Sequence, residues 1–250
     1  MTTASLHALL ILSDSALPLG SFAFSSGLES FLAHNKQRHA NNQARLTAFD
    51  AFLEQSISNV ASTALPYVIT AYNDPTQLDD LDNDFDASTP CTVARRASVS
   101  QGRALLGIWE RALSTSAVST EQSQIAAKQY TAFALAYKSA KPDVFGLQLN
   151  GHFPPLFGAA CCALGLTTED TAYLFLLNHA KALLSAAVRA SVMGPYQSQA
   201  MLASGKLQAC IRGCIEREKG ATVDDAAVTV PAMDLWMGRH ELLYSRIFNS

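Results

Sequence analysis

The chain has 250 residues, 49% of them hydrophobic, enough to bury the core of one large domain. Charged residues make up only 16%, below the usual quarter of a globular protein. The formal net charge of −3 argues against a general nucleic-acid binder, which usually carries a basic face.

Leu6, Leu9, Leu10 and Leu12 predict a short first helix. Its apolar run has no Lys or Arg ahead of it and ends at Ser13-Asp14, so no export signal is expected. Pro18 fixes its own φ and pushes Leu17 out of the helical region, and Gly20 suits the last position of a type I turn. Ser26-Gly27-Leu28-Glu29 has the spacing of a helix capping box, Ser26 accepting and Glu29 reaching back. Residues 9–29 therefore read as helix, tight turn, helix, with small residues that let backbones approach closely.

Leu28, Phe31 and Leu32 continue an i, i+3, i+4 stripe. Leu46, Phe49, Phe52, Leu53, Ile57 and Val60 predict a third helix, and a separate short one follows Pro66. Residues 73–90 hold Asp74, Asp79, Asp80, Asp82, Asp84 and Asp86 between prolines. Aspartate prefers turns, so an acidic, solvated loop is expected there, with room for one short helical turn around Leu78 to Leu81. Its resemblance to an EF-hand fails for want of the glycine and the closing glutamate.

A long helix is predicted from about Val93 to Leu113, and another from Ile125 to Tyr137, ended by Pro142. A loop at 151–155 leads to a helix reaching about Leu164. Thr167 or Thr168 caps the next helix, which runs through Ala190 and is expected to be the central, buried one. Within it, residues 172–188 are the most apolar stretch, but Asn178, His179 and Lys181 interrupt it. No membrane span of ~20 apolar residues is therefore expected. Gly194-Pro195 stops that helix. Ser198 to Glu218 reads as a further helix, 221–230 as a linker, and Pro231 starts the last helix. No alternating strand with hairpin turns is present. The expected fold class is all-α, a single-domain bundle of about ten helices.

Little in the chain signals catalysis. It has no G-x-x-x-x-G-K-[ST], no G-x-G-x-x-G after a strand, no H-E-x-x-H and no G-x-S-x-G. No catalytic residue, cofactor or metal site is assigned. Five cysteines do not read as a disulfide framework, which fits a reduced, cytoplasmic setting. Cys210 and Cys214 share a helix face at i, i+4, a spacing that could hold a soft metal. Most metal sites need three or four ligands, and small core residues are the preferred reading. The adjacent pair Cys161-Cys162 diverges on a helix. His152, in a loop between glycine and prolines, reads either as a cap for the following helix or as a functional residue. The C-terminal block is aromatic, aliphatic and Arg-containing, the composition of interface hot spots. It could equally fold back onto the core.

Four blocks resemble one family. Residues 12–29, LSDSALPLGSFAFSSGLE, match at nearly every position the N-terminal signature of UreF, a urease accessory protein. Gly151-His152-Phe153-Pro154-Pro155-Leu156-Phe157-Gly158 resembles the family's G-H-P-x-x-F-G with one insertion. Residues 185–189 with 193–199, and the C-terminal residues 243–250, supply the others, and Ser98, Gln101, Gly102 and Arg103 resemble S-x-x-Q-G-R. Met193-Gly194-Pro195-Tyr196 departs from the usual L-G-Q-T.

The resemblance implies a non-catalytic chaperone. It would be a homodimer bridging UreD (also UreH) and the GTPase UreG, so that nickel reaches apo-urease with GTP turnover. The C-terminal residues Arg239, Tyr244, Ser245, Arg246, Ile247 and Phe248 would dock UreD and become ordered there. Ser13, Asp14, Pro18, Gly20, Phe22, Gly27 and Glu29 would shape a partner or dimer surface. Gly102, Arg103, His152, Arg189 and Gln197 are further candidates. The rival readings are a helical metabolite-binding enzyme using Glu29, His152 and Arg189, and a direct nickel carrier using His152, Cys210 or Cys214.

Overall fold

The computed structural model describes residues 3–35, 41–142, 144 and 146–249. Part of the polar break between the second and third predicted helices, and Ser250 of the C-terminal block, lie outside the described residues. Helices α1 (Thr3–Ser13), α2 (Leu28–His34) and α3 (Asn42–Asn73) come first. They are followed by α4 (Leu78–Ser88), α5 (Thr92–Ile108) and α6 (Glu121–Ser139). Then come α7 (Phe153–Ala163), α8 (Thr168–Arg189), α9 (Pro195–Leu202), α10 (Gly205–Arg217) and α11 (Pro231–Arg239). No strand occurs among the described residues, and the class is all-α as expected. Caps sit where side chains can accept: Thr167 Oγ1 takes Asp170 N at 3.0 Å, and Asn41 Oδ1 takes Ala44 N at 2.8 Å.

The centre of the bundle is α7, not α8. Every residue from Pro154 to Ala163 is buried, with α3, α5 and α6 packed around the helix. Its alanines, cysteines and Gly158 allow that approach; a Cβ on Gly158 would lie 2.0 Å from Val68 O of α3. A helix that is apolar on every side has no stripe to betray it. By length and composition α8 could cross a membrane. Here Leu174, Leu176, Leu183 and Leu184 are buried in the core.

The predicted third and fourth helices are one, α3, with Pro66 inside it. Proline lacks the N–H that would bond the carbonyl four residues back. That carbonyl, Ser62 O, instead accepts Ala227 N at 3.2 Å. Ser62 Oγ bonds Thr229 Oγ1 at 2.8 Å, and Asn59 Oδ1 accepts Val230 N at 3.1 Å. The stretch read as a linker thus repairs the helix that proline interrupts. The helix expected over 198–218 is two, because α9 stops at Leu202 and Ser204 caps α10, accepting Leu207 N at 3.2 Å.

The acidic loop expected at 73–90 is largely helix. After a 3-10 turn at Pro75–Gln77, α4 buries Leu78, Leu81, Asp82 and Phe85 on one face. That i, i+3, i+7 spacing outweighs the weak helix propensity of aspartate. Phe85 meets Tyr67 edge-on at 4.9 Å, and Tyr67 Oη donates to Asp84 Oδ2 at 2.8 Å.

Candidate functional site

The N-terminal signature and the C-terminal block, at opposite ends of the sequence, form one structure. The expected capping box at Ser26 and Glu29 is not made. Gly27, at φ 83°, takes the N-cap position of α2, and Ser25 Oγ accepts Glu29 N at 3.4 Å. A Cβ on Gly27 would lie 2.9 Å from Met237 N, so glycine is what lets α11 reach the start of α2. Glu29 turns the other way and holds the chain end. Its carboxylate accepts Ile247 N at 2.7 Å and Phe248 N at 3.2 Å. Ala23 O accepts Asn249 N at 2.8 Å.

Phe248 is buried, with the Arg189 guanidinium 4.5 Å above its ring. Burial lowers the pKa of that guanidinium. The carbonyl of Phe248 bonds the fully buried His240 Nε2 at 3.0 Å. Arg96 Nη2 donates to Asn249 O at 2.9 Å and to Glu241 Oε1 at 2.5 Å, and Arg246 Nη1 donates to Glu241 Oε2 at 2.8 Å. Arg96 first and Arg246 second hold the Glu241 carboxyl below its ordinary range. The C-terminal block is thus ordered within the chain itself.

What this clamp leaves outside is apolar. Tyr244 is fully exposed, and Leu235, Leu242 and Ile247 are at least 64% exposed. Phe22, one residue from Ala23, is 65% exposed. Arg239, Ser245 and Arg246 are exposed beside them. The turn that carries Phe22 differs from the expected type I form. Leu19 N donates to Leu17 O at 2.7 Å across Pro18, and Gly20 is left-handed at φ 72°. Asp14 Oδ1 accepts Ala16 N at 2.9 Å, and Ser13 O accepts Lys181 Nζ.

His152, Ser98 and Gly102 form a second constellation, deeper in the protein. His152 is fully buried and takes the N-cap position of α7. Its Nδ1 bonds Ser98 Oγ at 3.0 Å and its Nε2 bonds Asp86 Oδ1 at 3.1 Å. Ser98 Oγ also accepts Phe153 N at 3.2 Å. Asp82, buried on α4, accepts three successive backbone amides: Asn150 at 2.6 Å, Gly151 at 3.1 Å and His152 at 2.6 Å. A Cβ on Gly102 would lie 1.9 Å from Gly151 O, so α5 can touch this loop only through glycine. Arg103 is exposed, 5.9 Å from the Tyr137 ring. Gln197 Oε1 accepts Gly194 N at 3.2 Å at the start of α9.

Glu29 and Arg189 converge on Phe248, while His152 belongs to the separate Asp82 loop. The three residues of the metabolite-enzyme reading do not share a site. Among the described residues no three His, Cys, Asp or Glu groups come together as a metal cluster. Sequence reasoning gives Arg96 no role, takes Asp82 as part of a solvated acidic run, and counts His240 and Glu241 only as charges of the C-terminal block. The 78, 81, 85 apolar spacing beside Asp82 is the one local signal that could have found any of them.

A cleft of about 280 Å³ lies between the signature turn, α5, α8 and α11, with Leu17, Phe22, Ser98, Phe153 and Lys181 on its walls. His179 also borders it and bonds Ser56 Oγ of α3 at 2.8 Å. Desolvation pushes the His179 pKa down to about 4. A depressed pKa means that protons bind the unfolded chain better, so this contribution is complete above about pH 6.5 and lost as pH falls towards 4. Native protein is expected to lose about 2 kcal/mol from this group by pH 5. Urea melts at pH 7.5 and pH 5 should show that loss shrinking in His179→Gln; an equal loss in both proteins would contradict it.

Comparison with known proteins bears on the same blocks. The UreF family model matches residues 45–206. A Schizosaccharomyces pombe protein described as an uncharacterized urease accessory protein UreF-like is 40% identical over 98% of this chain and 97% of its own. Urease accessory protein F of Oryza sativa subsp. indica is 31% identical over 94% of this chain and 81% of its own. Urease accessory protein UreF of Actinobacillus pleuropneumoniae serotype 5b is 27% identical over 98% and 99%. With signature, loop and chain end arranged as described, and this similarity running along nearly the whole sequence, the chain belongs to the UreF family of urease accessory proteins.

Proposed function

We propose that the chain acts in the cytoplasm as a homodimeric, non-catalytic chaperone of urease maturation. It bridges UreD (UreH) and the GTPase UreG, and the assembly inserts nickel into apo-urease with GTP turnover. The observation that carries this reading is the C-terminal clamp. Glu29, Ala23, Arg96 and Arg189 fix residues 247–249 and leave Tyr244, Leu242, Ile247 and Leu235 facing solvent. Leaving such side chains in water has a cost that a partner's surface removes. Aromatic and aliphatic anchors held on a fixed backbone bind without first being ordered.

The reading is tested by capture of UreD/UreH with Tyr244→Ala and Ile247→Ala combined. Both side chains are exposed, so the fold should be unaffected. Capture is expected to weaken about 30-fold. Leu135→Ala, equally exposed on α6, should leave capture unchanged. Unaltered capture by the double variant would place the UreD/UreH site elsewhere.

A further inference from the structure

We infer that His240 and Glu29 form a proton-operated latch on the C-terminal clamp, tight when the imidazole is charged and loosened when it is neutral. The two side chains grip one residue from both sides. Glu29 Oε2 accepts Phe248 N at 3.2 Å, and His240 Nε2 bonds Phe248 O at 3.0 Å. They also face each other, His240 Nδ1 lying 3.8 Å from Glu29 Oε2. His240 is fully buried, and its Nδ1 has no hydrogen-bond partner among the described residues.

The ring therefore stands between two groups that can only accept, a backbone carbonyl and a carboxylate. A neutral imidazole has one N–H to offer. Whichever acceptor takes it, the lone pair of the other nitrogen is turned towards the remaining one. The imidazolium has a donor for each. At 3.8 Å the contact with Glu29 is too long for a hydrogen bond and acts as an ion pair.

The neighbouring charges leave this pair to itself. Glu241 takes up Arg96 of α5 at 2.5 Å and Arg246 at 2.8 Å. Arg189 of α8 lies over the Phe248 ring. His34, the other titratable side chain of α2, bonds Ser30 O at 2.7 Å and meets the Trp236 ring. Among the ion pairs of the described residues, Glu29 meets only His240. His240 also directly follows α11, and the C-terminus of a helix favours a cation. Burial opposes the charge, so the latch needs the Glu29 carboxylate beside the ring.

Nδ1–H gains that carboxylate only while the clamp is closed, so closure and protonation favour each other. The contribution is complete below about pH 6.5, the ordinary midpoint of histidine, and is lost as pH rises above it. Glu29 keeps its two backbone amides at either pH, so the proton tightens the clamp and does not create it. A firmer chain end would hold the UreD/UreH anchors more rigidly. That consequence rests on the chaperone reading above, whereas the latch itself is tested in the chain alone.

The test is amide hydrogen exchange of Ile247 and Phe248, followed by NMR at pH 6 and pH 8, each rate divided by that of an unstructured peptide at the same pH. Protection in the native chain is expected to be about 10-fold greater at pH 6. His240→Gln, whose carboxamide can still donate to Phe248 O, should show equal protection at both. Glu29→Gln removes the charge and keeps an acceptor; it should also lose the difference, and carries the test should His240→Gln fail to fold. Native protection that is the same at both pH values overturns the latch. So does a pH difference that survives in folded His240→Gln or Glu29→Gln.

Discussion

Asp82→Ala is expected to lower the free energy of unfolding by about 4 kcal/mol, enough to leave most single domains marginal. The carboxylate is 1% exposed and accepts the amides of Asn150, Gly151 and His152. Alanine leaves three donors without a partner, and each buried orphan costs about 1–3 kcal/mol. Those amides fix the turn that starts α7, the central helix, so the damage is not local. His152, held between Ser98 and Asp86, loses its backbone anchor at the same time. Asp80, on the exposed side of α4, is the control, with Asp80→Ala within about 0.5 kcal/mol of native. Urea denaturation followed by fluorescence of the buried Trp109 measures both. A small loss for Asp82→Ala would show that water replaces the carboxylate at this loop.

Glu29→Ala is expected to have the largest effect on function. It removes both acceptors for Ile247 N and Phe248 N. Residues 243–249 then keep the Arg96, Ala23 and His240 contacts, the Arg246–Glu241 ion pair and the ring of Phe248 under Arg189. The segment should detach often enough for its amides to exchange with solvent rapidly. Capture of UreD/UreH should fall about 30- to 100-fold, because the partner must now order the segment it binds. The stability loss should stay near 2 kcal/mol, since the site is partly exposed. Glu29→Gln, which keeps one good acceptor, should fall between the two. Unchanged capture with a detached segment would separate the clamp from partner binding.

Much of the architecture was legible in the sequence because it is local. The apolar stripe of α5, the Thr167 cap of α8 and the proline starting α11 each act within a few residues. What was missed depends on distant partners. Pro66 reads as a helix break until Ala227 N reaches the carbonyl it orphaned. Ser26 and Glu29 have capping-box spacing, yet Glu29 finds better donors 218 residues away. The aspartates of α4 look solvated by composition, while only the apolar spacing beside Asp82 shows which of them turns inward. The α7 helix was expected, but its place at the centre of the bundle was not, because small residues on every face give no stripe to mark it. The family blocks named most of the residues that meet at the clamp and the Asp82 loop. They did not say which block touches which.

The most direct test of the proposed role is reconstitution of urease activation with UreD/UreH, UreG, apo-urease, nickel, bicarbonate and GTP, with and without this chain. The account predicts that UreD/UreH, the chain and UreG co-purify as one complex and that urease activity appears only when the chain is present. Correctly folded partners that fail to assemble with it, or full activation in its absence, would contradict the account.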